Sequence, residues 1–141
     1  MVKTKIANQY NDISALIVHG IQEKKGNDII RLDLRNIHSS VADFFIICHA
    51  ESSNQIKAIA KSIEDEVFKV TGEDPYRKEG LESADWVLLD YVDVVVHIFK
   101  TEKREFYGIE DLNETTVHLL SQICGEMQKL RFIKALKAYY I

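Results

Sequence analysis

Cysteine is nearly absent: the 141 residues hold two, Cys48 and Cys124, far apart in the chain. That spacing excludes a disulfide framework and a cysteine-based zinc motif; Cys48, inside an apolar run, reads as a buried thiol suited to a reducing compartment. No apolar run approaches the roughly 20 residues that a membrane-spanning helix needs. The opening MVKTKIANQYND lacks the apolar core of a signal peptide, so the expectation is a soluble, cytoplasmic protein without membrane association. Basic charge is not in excess either. Eighteen Lys and Arg against 22 Asp and Glu leave a formal net charge of -4, which argues against a general nucleic-acid binder but suits a basic protein partner. No Gly-Ser pair occurs anywhere, so the phosphate-holding loop of a nucleotidyltransferase is missing. Proline occurs once, at Pro75, and repeats, low-complexity segments and linkers are lacking.

What is present fits one soluble globular domain: 46% hydrophobic and 28% charged residues over this length suffice for a real core. Residues 8–25 carry Ile13, Leu16, Ile17, Gly20 and Ile21 at helical spacing, with Gly26 placed to stop the helix. DIIRLDLR, 28–35, alternates with Ile30, Leu32 and Leu34 on one face, as a half-buried strand does. A turn at 38–40 leads to DFFIICHA, 43–50, apolar on both faces and read as an interior strand. Residues 51–72 form the clearest helix, with Ile56, Ile59, Ala60, Ile63, Val67 and Val70 as its stripe, Ser52 or Ser53 as cap and Gly72 as stop. A loop or short edge strand surrounds Pro75, a short helix follows over 101–112, and a terminal helix is expected over 114–138. The order implies an α/β (α+β) protein: a mixed sheet with flanking helices.

The segment ADWVLLDYVDVVVHIF, 84–99, decides how the rest is read. As one continuous strand it would point Asp90 and Asp93 to opposite faces, one of them into the core, at a high desolvation cost. A hairpin turning at Asp-Tyr-Val-Asp, 90–93, avoids this and pairs 90 with 93, 88 with 95 and 86 with 97. One face is then wholly aliphatic (Val87, Leu89, Val94, Val96, Ile98). The other carries Trp86, Leu88, Asp90, Asp93, Val95, His97 and Phe99. This second face is expected to look outward, and it has two readings: a second core layer under the terminal helices, or a partner-binding patch with large apolar anchors beside polar groups.

Metal and enzyme chemistry find little support. None of the five histidines (His19, His38, His49, His97, His118) stands at ligand spacing from another His or Cys. Cys48 and His49 are adjacent and so point to opposite sides of a strand. Asp90 and Asp93 are separated by a turn rather than set on one strand, so neither metal nor cofactor is expected. Phe106 and Tyr107 read as packing residues that close the sheet.

The motifs themselves resemble a known family. SADWVLLDYVDVVVHIF, preceded by YRKEG and followed by REFYGIEDL, together with the upstream DIIRLDLRNIHSSVADFFIICHAESSNQIKAIAKSIEDEV, resembles the ribosomal silencing factor family, also called Iojap-like, over residues 8–112. Three departures stand out. HAESSNQ replaces a Thr-Gly-x-Ser-x-Arg/Lys-His pattern, Val92 stands where many members have Gly, and Asn113 follows Leu112 where Trp is usual. The resemblance implies a nucleotidyltransferase-like fold without transferase activity, as one domain over 1–112; residues 113–141 have no counterpart in it and read from their spacing as a C-terminal helical extension. It implies binding to the large ribosomal subunit, at its universally conserved fourteenth protein, and a steric block of subunit joining that represses translation when nutrients are scarce. It places partner contacts at Trp86, Tyr91 and Phe99, flanked by Leu88 and Val95, with Asp90, Asp93 and Glu79 facing basic groups. Lys100 and Lys103 near this face suggest a minor ribosomal RNA contact. Two other classes stay open: an active nucleotidyltransferase-like enzyme, and a homodimer pairing through the outward face or through 113–141.

Overall fold

The longest helix shows how the sequence becomes this fold. In a computed structural model, which describes residues 12–35 and 42–107, that helix covers Ser53–Thr71 and is numbered α2. The Ser52 side chain accepts a hydrogen bond from the Gln55 backbone N–H at 3.1 Å, satisfying one orphan donor of the first turn. Gly72 closes the other end in left-handed backbone, φ 74°, with its N–H donating to the Phe68 carbonyl. Ile56, Ile59, Ala60, Ile63 and Val67 are buried as the spacing predicts, but Val70 is exposed.

The other elements, in chain order, are α1 (Ser14–Glu23), β1 (Asn27–Asp33), β2 (Phe44–Ala50), β3 (Arg77–Glu79), β4 (Trp86–Asp90), β5 (Val94–Lys100) and α3 (Thr101–Tyr107). The strands form one sheet in the order β1-β2-β5-β4-β3, with β2 and β5 parallel and every other pairing antiparallel. The expected mixed sheet with flanking helices is therefore what forms. Helices α1 and α2 pack on one face, over Phe44, Ile46, Cys48, Val87, Leu89, Val94, Val96 and Ile98. The thiol of Cys48 is enclosed there, and burial pushes it up to about 12, an unreactive state.

At the edge, β1 carries an irregularity between Asn27 and Ile30, where Asp28 adopts φ 46°. Arg104 of α3 holds that backbone. Its Nη1 donates to the Asp28 carbonyl at 2.7 Å, approaches that of Asn27 at 3.4 Å, and donates to His49 Nδ1 at 2.8 Å. Residues 8–11, the turn at 38–40, the chain beyond Tyr107 with its terminal helix and extension, and the side chains of Phe106 and Tyr107 lie outside the described residues, as do His38, His118 and Cys124.

Candidate functional site

The β4–β5 hairpin exists, with a different register from the expected one. Asp90 pairs with Val95, Leu88 with His97 and Trp86 with Phe99. The turn is longer than a two-residue link because Tyr-Val would have needed positive φ at both positions. Here only Val92 takes left-handed backbone, φ 76°. The Tyr91 N–H donates to the Val94 carbonyl at 2.9 Å and the Asp93 N–H to the Tyr91 carbonyl at 3.0 Å. Asp90 secures the strained residue: its Oδ1 accepts from the Val92 N–H at 2.8 Å, while Oδ2 lies 3.4 Å from Arg77 Nη2. A shift of two residues preserves the strand period, so both faces keep the composition read from the sequence.

The expected outward aspect of the second face is corrected. Trp86 is 1% exposed, and Leu88, Asp90, Val95, His97 and Phe99 are likewise buried. Both faces of β2, β5 and β4 are therefore buried, the Trp86 face as well as the face under α1 and α2. The layer is aromatic. Phe45 meets His97 edge to face at 4.6 Å between centroids, and Trp86 lies 4.7 Å from Phe99. The Trp86 indole N–H donates to His97 Nδ1 at 3.1 Å, so the ring is neutral with its proton on Nε2. Burial pulls His97 down from 6.5 to about 3. The histidine is thus a packed core residue, compatible with an indole neighbour only while uncharged.

The remaining expected contacts separate. Tyr91 turns the other way, into the cluster of Leu89, Val94 and α2, because it continues the alternation of Val87 and Leu89 beyond the end of β4. Its hydroxyl is buried, and burial with nearby Glu64 and Asp74 raises its pKa. Asp90 is a buried turn clamp. Asp93 is exposed, and its carbonyl accepts from the Asp43 and Phe44 N–H groups at 2.7 and 3.1 Å. Glu79 is half-buried on β3, opposite Leu88. At the same end of the sheet, Tyr76 is 76% and Val92 56% exposed, and the Tyr76 N–H donates to the Asp90 carbonyl. Sequence reasoning missed this exposed tip, although the poor fit of Tyr-Val to a tight turn was a signal for it. Among the described residues no group of three or more His, Cys, Asp or Glu is placed to hold a metal ion, and no helix is long and apolar enough to cross a membrane.

Comparison with known proteins matches these features to one family. The family model described as "Ribosomal silencing factor during starvation" matches residues 7–136. The ribosomal silencing factor RsfS of Halalkalibacterium halodurans is 40% identical over 101 residues, 72% of this chain and 85% of that protein. Its namesake in Bacillus subtilis is 43% identical over 90 residues, 64% of this chain and 75% of that protein. A crystal structure of a Chromobacterium violaceum protein superposes with a TM-score of 0.63 at 33% identity, covering 78% of this chain and 85% of that one. With nearly the whole chain matched by the family model and the sheet shared with a solved relative, this protein belongs to the ribosomal silencing factor family.

Proposed function

We propose that this protein acts in the cytoplasm as a translational repressor. It binds the large ribosomal subunit at its universally conserved fourteenth protein, at the bridge between the two subunits, and by occupying that bridge keeps the small subunit from joining. Family membership supports the ribosomal role. The observation that carries the docking surface is the hairpin tip. Val92 is presented to solvent on left-handed backbone clamped by Asp90, with Asp93 and Tyr76 exposed around it. Strain of this kind persists where the surroundings over-determine it, and it clusters at sites that bind. Apolar and aromatic groups rimmed by carboxylates suit a basic target, and the net charge of -4 favours approach to one.

In this reading Asp93 and Glu79 contact the partner, while Trp86, Leu88, Val95 and Phe99 act from beneath by holding the hairpin. Asp90 and Tyr91 set the turn. Transferase chemistry is not favoured by this geometry, since the Asp90 carboxylate is committed to Val92 and Arg77.

Sedimentation with purified subunits tests the proposal. The wild-type chain should travel with free large subunits and lower the yield of joined ribosomes. Asp93→Lys combined with Glu79→Lys should abolish both effects at unchanged melting temperature; co-sedimentation at the wild-type level would remove the tip from the interface. Trp86→Ala should lose binding only together with stability, by about 3–5 kcal/mol for a buried aromatic.

A further inference from the structure

Among the described residues the large apolar side chains that stand exposed are Phe68, Val70, Tyr76 and Val92. Scattered singly, such groups need no explanation, but these gather at one end of the molecule. β5 starts at Val94, beside the hairpin tip, and β2 runs parallel to it. α2 follows the far end of β2 and returns over the sheet, so its last turn, with Phe68 and Val70, arrives at the tip end. Residues 72–75 then lead to Tyr76, whose N–H donates to the Asp90 carbonyl at 2.7 Å.

Ion pairs show which flank of α2 faces the hairpin. Glu64, one turn before Phe68, accepts from Lys78 Nζ of β3 at 3.2 Å. Tyr91, next to Val92, packs in one cluster with Val67, and the charges of Glu64 and Asp74 both act on it. By the i, i+4 spacing Phe68 shares the flank of Glu64, and it is 53% exposed. Val70 instead follows Glu66, which lies 3.6 Å from His19 of α1, so it stands on the opposite flank.

The charge of this end is one-sided. Glu73, Asp74 and Asp93 are exposed, and their carboxylates form no ion pair among the described residues. The neighbouring cations are engaged: Lys69 with Glu66, Arg77 with Asp90 and Lys78 with Glu64. Apolar anchors therefore stand beside uncompensated negative charge.

We propose that the docking surface extends from the hairpin tip over the last turn of α2 and takes a basic polypeptide segment bearing aliphatic side chains. Phe68 and Tyr76 receive the aliphatic groups, and Glu73 and Asp74 receive lysine or arginine. The inference rests on the ribosomal reading above, in which the segment belongs to the large-subunit protein. An RNA strand is disfavoured, since its phosphates would meet these carboxylates.

Titration of fluorescently labelled full chain with purified large subunits, read by anisotropy, tests the extension. Phe68→Gln should weaken binding at least about tenfold, the scale of an interface hot spot. Val70→Gln, the same kind of change on the other flank, should leave affinity unchanged. Both variants should keep the wild-type melting temperature, because surface substitutions seldom move stability. Glu73→Lys combined with Asp74→Lys should slow association and flatten its dependence on salt. Wild-type affinity in Phe68→Gln, or equal losses in Phe68→Gln and Val70→Gln, overturns the extension and leaves the tip reading in place. No binding by the wild-type chain overturns the ribosomal reading and this inference with it.

Discussion

Two residues show how chemistry is fixed by immediate surroundings. Val92 is β-branched, exposed and left-handed at φ 76°, a conformation glycine adopts without strain. Little burial is lost on truncation, so Val92→Gly should stabilise the fold by about 1 kcal/mol, even after the greater freedom of glycine in the unfolded chain is counted. A melting temperature higher by about 4 °C is the expected reading, and a fall would show that the turn is not strained. His97 behaves oppositely, as a titrating liability. Its folded value of about 3 lies below the ordinary 6.5, so between these limits the unfolded chain takes up a proton that the folded chain refuses. Stability therefore falls as pH drops from 6.5 towards 3, by up to about 1.4 kcal/mol per pH unit from this group. His97→Gln keeps an acceptor for the Trp86 indole, and urea titrations across this window should show a shallower acid loss for the variant than for the wild-type chain.

At the scale of elements, the contact between α1 and α2 is set by a missing side chain. A Cβ on Gly20 would stand 2.8 Å from the Ile63 Cα and 3.1 Å from the Ser62 carbonyl, closer than backbone atoms tolerate. The Ser62 hydroxyl donates to the Gly20 carbonyl at 2.8 Å across the same contact. Gly20→Ala gains helix propensity of about 1 kcal/mol, yet it must push the helices apart at a cost of typically 1–3 kcal/mol. A net loss of stability in chemical denaturation is expected, whereas a gain would mean that α1 shifts freely. The hairpin makes a related point. Its faces follow from strand period alone, so a register shift of two residues changed the turn and left Trp86, Leu88, Val95 and Phe99 together.

At the scale of the molecule, the sheet is a wall between two buried layers. One is aliphatic beneath α1 and α2, and the other is aromatic around Trp86 and His97. With both layers buried, the exposed side chains of Val92 and Asp93 lie at one end of the strands, at the hairpin tip.

The sequence by itself determined the element order, the composition of each hairpin face, a serine cap at 52 or 53, the stop at Gly72 and the family, because strand and helix periods and turn chemistry are local properties. Only the tertiary structure decided that the Trp86 face is interior, that Ser52 rather than Ser53 caps α2 and that Arg104 reaches back to Asp28. Burial and long-range hydrogen bonds depend on which segments cover each face of the sheet and meet across it, and no local pattern encodes that.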